Sequence, residues 1–217
     1  MASTQSLPRT AQSSAASERG LVRRIVQQDR GAAAASRAAL ASLIHQRGRL
    51  VFRSVRAISG AQAERVTCDV WLEAYRAFMQ NESYVDLSTW LGRRSVQLAL
   101  RQPRLRRSVP PLEPAEEVGG VTPQAADPLV AMLERCLDQL PLDQRIVFTL
   151  ARVEQLSIAQ VAACLGMSDA NVQLRLRRAQ DSWASSGLEE LHDVIPQVYA
   201  FDAALCQRVV QRVLRNA

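Results

Sequence analysis

The sequence contains no lysine, few aromatic residues and no long apolar run. All 27 basic residues are arginines, a bias that a genome rich in G and C produces, so the missing lysine says little about function. No segment approaches the roughly 18 consecutive apolar residues of a membrane span, and the N-terminus lacks the apolar core of a signal peptide. We therefore expect a soluble, cytoplasmic protein with no membrane insertion.

The sequence also lacks the residue clusters that carry enzymatic or metal chemistry. His45 and His192 are isolated, and no CxxC pair occurs. No paired carboxylates, nucleophile with a nearby base or phosphate-binding loop can be placed, so we expect no cofactor, no metal site and no enzymatic activity. The widely separated cysteines are expected to be small core residues in a reducing compartment: Cys68, Cys136, Cys164 and Cys206.

The arginines are concentrated in the first half of the chain. Residues 1–108 contain 18 arginines and seven acids, a net charge of +11, whereas residues 109–128 carry −4 and residues 129–217 carry −1. The whole chain has a net charge of +6, and its apolar content of 47% suffices for a core. A strongly basic first half indicates a polyanionic partner, most simply nucleic acid.

Two short helices joined by a tight turn are predicted for residues 157–180. Ser157 and Gln160 match a capping box at the start of the first helix, and Gly166 can adopt the left-handed backbone that ends it. An ordinary helical hairpin is the alternative, but a glycine turn followed by an arginine-rich helix favours DNA binding. Ser168 can cap the second helix, whose outer face carries groups suited to base edges and phosphates: Asn171, Gln173, Arg175 and Arg178.

The whole chain is predicted to be all-α, because no stretch alternates as a strand does. We expect a disordered tail over residues 1–19, helices over 21–28, 32–57 and 61–78, and a loop over 79–88 ending in a capping serine or threonine. The next helix is basic, with six arginines in residues 93–107. Together with Tyr84 and Trp90, these arginines could hold phosphates and stack an unpaired base, although Trp90 itself is expected to be core.

Residues 109–127 are rich in proline and carry only acidic charge, which indicates a flexible linker between two small domains. The domains are predicted at residues 20–108 and 128–183, with Asp127 and Pro128 starting the first helix of the second. Residues 184–217 form a C-terminal extension with an amphipathic helix. We expect this helix to dock on its own domain, the alternative being that it binds a partner's groove.

These motifs resemble bacterial RNA polymerase sigma factors of the sigma-70 family, specifically the compact extracytoplasmic-function (ECF) type. That family keeps two helical domains, called regions 2 and 4, joined by a flexible linker. Its region 4 pattern contains LP-x-x-x-R-x-V-F-x-L, S-x-x-E-[IV]-A-x-x-L-G-[IM]-S and a final R-A, which residues 140–179 match. Gln160 replaces the usual glutamate and can still close the capping box. The matching residues include Leu140, Pro141, Arg145, Val147, Phe148, Leu150, Ser157, Val161, Ala162, Leu165, Gly166, Met167, Ser168, Arg178 and Ala179.

The region 2 pattern A-E-D-L-x-Q-[DE]-[VT]-[FW]-L resembles residues 63–72. Arg65 stands where an acid is usual, and Cys68 stands where glutamine is usual. A second pattern, W-L-x-x-I-A-R-N, is retained at Trp90 and Leu91. The positions after it differ, with Arg94, Val96 and Gln97 in place of the usual isoleucine, arginine and asparagine.

The resemblance implies a protein that binds core RNA polymerase, through the β′ clamp helices and the β flap, and directs initiation at promoters. It also implies an anti-sigma factor that masks both domains. Residues 168–178 would contact the −35 element through Ser168, Asn171, Gln173, Arg175 and Arg178. The implied −10 and melting surface comprises Asn81, Tyr84, Trp90, Arg93, Arg94, Gln97, Arg101 and Arg104. The implied polymerase-binding residues are Glu64, Arg65, Cys68, Asp69, Trp71 and Leu72.

Two other functions remain open at this point. A sigma-like interaction protein would bind an anti-sigma factor without supporting transcription, and the changes at Arg65, Cys68, Val96 and Gln97 motivate it. A stand-alone helix-turn-helix regulator would act as a dimer, with the C-terminal helix as one candidate dimer contact, and would bind a palindromic duplex without polymerase.

Overall fold

The computed structural model describes residues 9–26, 33–80, 86–101, 127–185, 187 and 194–217. These residues form helices and turns without a β-strand, which confirms the all-α prediction. The predicted linker at residues 109–127 lies outside the described residues, except for Asp127. The helices are α1 (Arg9–Val26), α2 (Ala33–Ser59), α3 (Ala63–Met79), α4 (Leu87–Arg101), α5 (Pro128–Gln139), α6 (Leu142–Phe148), α7 (Ile158–Leu165), α8 (Asp169–Ser185) and α9 (Ala203–Asn216).

The first four helices form a bundle centred on α2. This helix has apolar residues at i, i+4 and i+7 steps, and Leu40, Ile44 and Val51 on that stripe are fully buried. Helices α1, α3 and α4 pack against α2. Trp71 of α3 is the largest fully buried side chain of the described residues. The bundle therefore has a continuous apolar core.

Helix α1 begins earlier than the sequence predicts. Residues 9–19, expected to belong to a disordered tail, are helical, and residues 1–8 lie outside the described residues. Alanine favours helix, and contacts with the bundle add stability that a sequence pattern does not display. Glu18 is buried and accepts a hydrogen bond from Arg47 Nε of α2 at 2.8 Å, and Ile25 is fully buried.

Helices α5 to α8 form a second bundle. As predicted, Asp127 caps α5 by accepting a hydrogen bond from the backbone N–H of Leu129 at 2.9 Å, and Pro128 occupies the first turn. Helix α6 continues into a π-helical turn at residues 149–153. Leu133 and Leu150 are fully buried in the core of this bundle.

The two bundles are in direct contact, with α7 packed on α4 and α6 packed on α2. The sulfur of Cys164, in α7, lies 3.4 Å from the backbone oxygen of Thr89. A Cβ atom added at Gly92 of α4 would lie 2.8 Å from the same sulfur, so glycine permits this close approach. Burial raises the pKa of the Cys164 thiol to about 12, and the thiol is therefore protonated at neutral pH.

Residues 194–217, which we call the strap, connect the second bundle to the first. Tyr199 is buried against α5, where its backbone N–H donates to Glu134 at 2.9 Å and its hydroxyl donates to Asp138 at 2.8 Å. Helix α9 then packs against α2 and α3. Its predicted docking on its own domain is thus wrong: it docks within the molecule, but on the first bundle, because its apolar face completes that core.

One buried arginine of α2 fastens the strap. The Arg53 side chain is only 3% exposed, and its Nη1 donates to Glu154 Oε1 at 2.9 Å. Its Nε donates to the backbone oxygen of Tyr199 at 3.2 Å, and its Nη2 donates to that of Pro196. Burial raises the pKa of Glu154, while the hydrogen bond and charge of Arg53 oppose that rise.

We expect Arg53→Met to lower the free energy of unfolding by about 3 kcal/mol, because it leaves the Glu154 carboxylate buried without its partner. Urea unfolding measures this loss. The double variant with Glu154→Gln should recover part of it, and the exposed Arg152→Met should change stability by less than about 0.5 kcal/mol. If Arg53→Met lowered the free energy of unfolding no more than Arg152→Met does, the stabilising role of Arg53 would be contradicted.

Candidate nucleic-acid interface

The helix-turn-helix geometry predicted for residues 157–180 is present. The Ser157 Oγ accepts from the backbone N–H of Gln160 at 3.3 Å, and the Gln160 Oε1 accepts from the backbone N–H of Ser157 at 3.0 Å. Gly166 has φ of 67° and ends α7 in the left-handed conformation. Ser168 Oγ then accepts from the backbone N–H of Asn171 at 3.3 Å at the start of α8. The predicted caps are confirmed.

Helix α8 is fixed by its buried face. Val172 and Ala179 are fully buried, and Leu176 is 9% exposed, as the helical spacing predicts. Trp183 in the last turn stacks on Phe148 of α6, with ring centroids 5.3 Å apart. The opposite face of α8 is therefore turned towards solvent in a fixed orientation.

The outer face of α8 presents polar groups to solvent. Asn171, Gln173 and Arg178 are exposed, as predicted. Arg177, which the sequence analysis did not single out, is also exposed. It follows Gln173 by one helical turn, so the two lie on one stripe, and this spacing is the signal that could have identified it.

Arg175 differs from its neighbours because it is engaged within the molecule. Its Nε donates to Asp143 Oδ2 of α6 at 2.9 Å, and its Nη1 lies 2.9 Å from the sulfur of Met167. The side chain is about one-third exposed. A contact between Arg175 and a base would require this surface ion pair to open, at a modest cost.

Helix α4 carries the second basic surface. Arg93 and Arg101 are exposed, and Gln97 is half-buried. Arg94 is held by Glu73 of α3, with Nη1 and Oε1 3.1 Å apart, and it also lies 5.3 Å from the centroid of the Trp90 ring. The other predicted members of this surface, Asn81, Tyr84 and Arg104, lie outside the described residues.

Trp90 is half-buried, so it belongs partly to the core and partly to the surface. Its ring packs on Phe78 of α3, with centroids 5.6 Å apart. The prediction that Trp90 is a core residue is confirmed only in part, since its ring contacts the apolar cluster of the first bundle but stays half-buried. The Arg94 guanidinium lies over the ring.

The cap of α4 is Asp86, not the serine or threonine that the sequence predicts. Its Oδ2 accepts from the backbone N–H of Thr89 at 2.9 Å and from the Thr89 hydroxyl at 2.5 Å. The side chain of Gln160, in α7, is close enough to this carboxylate to help lower its pKa. Burial of Asp86 acts to raise its pKa, but these hydrogen bonds outweigh it, and the pKa lies below its ordinary value.

The residues predicted to bind polymerase on α3 have very different surroundings. Trp71 is fully buried, so its side chain belongs to the core rather than to a surface. Arg65 is exposed and donates to Gln62 Oε1 at 3.2 Å, and Asp69 and Leu72 are half-buried. Two other members, Glu64 and Cys68, lie against α9, because Arg208 pairs with Glu64 at 3.1 Å and Arg212 is close enough to Cys68 to influence its pKa.

The described part of the chain holds no group of three or more His, Cys, Asp or Glu side chains placed to bind a metal ion. Within the same ranges, no helix combines the length and apolar character needed to span a membrane.

Comparison with known proteins identifies the family. The family model described as sigma-70, region 4, matches residues 131–179, which run from α5 into α8. The ECF RNA polymerase sigma factor SigM of Mycobacterium tuberculosis is 30% identical over 139 residues, covering 63% of this chain and 67% of that protein. The chain belongs to the ECF RNA polymerase sigma factors. SigE, an ECF sigma factor of Mycolicibacterium smegmatis, is 29% identical over 148 residues, or 64% of this chain and 57% of SigE.

The solved structure of CnrH in complex with the cytosolic domain of CnrY has the same fold. Its TM-score is 0.57 at 20% sequence identity, and the match covers 78% of this chain and 96% of that chain. Membership of the family establishes the function predicted from the motifs: this sigma factor binds core RNA polymerase and directs transcription initiation at promoters.

We expect Asp86→Ala to lower the free energy of unfolding by about 1 kcal/mol at neutral pH, because α4 loses its cap. Since folding lowers the Asp86 pKa, this stabilisation is fully present above the carboxyl's ordinary pKa of 3.8 and is lost as the pH falls through the lowered value. Urea unfolding of both proteins at neutral pH and at about pH 3 should therefore show the difference shrinking in acid.

The matched control is Asp86→Asn, which keeps an oxygen acceptor for the α4 cap but cannot titrate. Its stability relative to Asp86→Ala should stay constant over the same pH range. A difference between wild type and Asp86→Ala that is equally large in acid would show that the ionised carboxylate contributes nothing.

Proposed function

We propose that the sigma factor recognises the −35 element with α8, within residues 128–183. The observation that carries this proposal is the contrast between the two faces of the helix. Val172 and Ala179 are fully buried, whereas Asn171, Gln173 and Arg178 project from the other side. Amide side chains can bind adenine edges in pairs of hydrogen bonds, and arginine can bind guanine edges or phosphates. Ser168, at the start of the helix, lies where a backbone phosphate would meet the helix N-terminus.

The −10 element and the melted strand are proposed to bind α4 and the residues that flank it, within residues 20–108. Arg93 and Arg101 are exposed and supply positive charge. Trp90 is half-buried on the same surface, and a base that stacked on its ring would take the place of the Arg94 guanidinium that lies over it. The remaining members of this proposed surface are Gln97, Asn81, Tyr84 and Arg104.

Core polymerase is proposed to dock on α3, with the β′ clamp helices contacting Glu64, Arg65, Cys68, Asp69 and Leu72, and the β flap contacting the second domain. Trp71 would support that surface from inside the core. An anti-sigma factor is the proposed negative partner, and CnrH, which shares the fold, was solved together with CnrY. We place the protein in the cytoplasm and assign it no chemistry of its own.

The −35 assignment is tested by run-off transcription and footprinting with reconstituted holoenzyme on genomic fragments upstream of open reading frames. We expect Gln173→Ala to reduce base discrimination by about 1–3 kcal/mol at one position. Arg178→Ala should weaken binding and, if it contacts a phosphate, reduce the slope of log affinity against log salt by about 1.

The matched control for Arg178→Ala is Arg135→Ala, which removes the same charge from an exposed position on α5. That variant should leave the −35 footprint unchanged. Protection near −35 that survives both Gln173→Ala and Arg178→Ala unaltered would count decisively against α8 as the reading element.

The sigma-like interaction protein that the sequence left open does not agree with the family membership, but one structural observation bears on how polymerase docks. Glu64 is already paired with Arg208, and Cys68 is buried, so the proposed docking face of α3 is partly occupied within the molecule. Co-elution of the full-length protein with core polymerase, together with new transcripts, tests docking despite this occupancy.

A further inference from the structure

Helix α9 places an apolar face and two arginines against α3. Val209 and Val213 are fully buried, and Leu205 is 8% exposed. Arg208 Nη2 lies 3.1 Å from Glu64 Oε2, and its Nε lies 3.3 Å from both carboxylate oxygens. The buried valines and the ion pair together hold α9 against α3 on the side that carries Glu64.

The strap also packs on α2, where the missing side chain of Gly48 leaves a notch. A Cβ atom at Gly48 would lie 2.5 Å from Cε1 of Phe201, so only glycine leaves room for that ring. The Phe201 ring packs on Phe52, with centroids 5.4 Å apart. Cys206 Sγ and His45 Nδ1 are 3.2 Å apart, and the Arg37 guanidinium donates to the backbone oxygen of Leu214 at 3.0 Å. The strap is thus seated along two helices of the first bundle.

We propose that the strap is an internal cover for α3, and that α9 must leave before core polymerase can dock there. The proposal rests on the polymerase-binding role proposed above for α3. Glu64 cannot offer its carboxylate to Arg208 and to polymerase at once, and α9 excludes any other helix from the groove beside Cys68. Strap docking and polymerase docking are therefore competitive.

The two ends of the strap are held by different kinds of interaction. Tyr199 is buried and is fastened by hydrogen bonds with Arg53, Glu134 and Asp138. In contrast, α9 is held mainly by its apolar face, with Val209 and Val213 fully buried, because the pair between Arg208 and Glu64 is partly exposed and such pairs contribute little. Tyr199 also has φ of 53°, a conformation that a non-glycine residue seldom adopts, and it marks the point where the chain turns towards α9.

Hydrogen exchange of the full-length protein, free and bound to core polymerase, tests the competition directly. We expect the amides of α9 to be protected in the free protein and to lose protection in the complex, while the α2 amides stay protected. Equal protection of α9 in both states would overturn the proposal and leave the function intact. Failure of the protein, and of the variants below, to bind core polymerase would overturn the docking role of α3 and this proposal together.

Two variants of the full-length protein weaken the docking of the strap, one through changes in α9 and the other through a change in α2. Neither variant changes α3. Val209→Ser with Val213→Ser removes apolar contacts of α9, and Gly48→Ala displaces the Phe201 ring. If α9 covers α3 about nine-tenths of the time, release should tighten the apparent Kd for core polymerase by about tenfold. Hydrogen exchange of α2 and α3 shows whether each variant remains folded.

The matched control is Gln211→Ser, on the exposed face of α9. It should leave the apparent Kd unchanged. Folded variants with exchanging α9 amides and an unaltered Kd would overturn the proposal, because they would show that polymerase binds equally well with the helix seated or released.

Discussion

The way in which α2, the second bundle and the strap meet depends on the buried guanidinium of Arg53. From the middle of α2 it reaches the π-helical end of the second bundle at Glu154 and two backbone carbonyls of the strap. A buried charge is tolerated only when its hydrogen-bond donors are satisfied, so the three segments must meet at one point. Arginine suits this position because its fixed planar group holds several donors in different directions.

Local features of the fold could be predicted from the sequence, because the interacting residues are close together in the chain. Ser157 and Gln160 are three residues apart, and the left-handed turn at Gly166 needs only one residue. The docking of α9 could not be predicted in the same way. Its periodicity shows that one face is apolar, but several apolar surfaces could receive that face. The choice of α2 and α3 depends on a notch at Gly48 more than 150 residues away.

The same distinction applies to the candidate site. Helical spacing correctly predicted that Asn171, Gln173 and Arg178 would be exposed. It could not reveal that Arg175 is engaged, because its partner Asp143 lies 32 residues earlier. The resemblance to sigma factors implies that Trp71 belongs to the polymerase-binding surface, yet its indole fills the centre of the first bundle. Which base or subunit each exposed group contacts depends on partners whose geometry the sequence does not contain.

Gln160 stands where the family pattern has glutamate, and its surroundings give a physical reason for this difference. A glutamate there would close the capping box equally well, but it would place a second negative charge near the Asp86 carboxylate, and like charges disfavour each other's ionised form. The Gln160 amide accepts from the backbone N–H of Ser157 with its oxygen and adds no negative charge near Asp86, whose pKa it helps to lower. Among related chains, an amide at this position together with an acid at the start of α4 should therefore mark those in which the two bundles rest against each other.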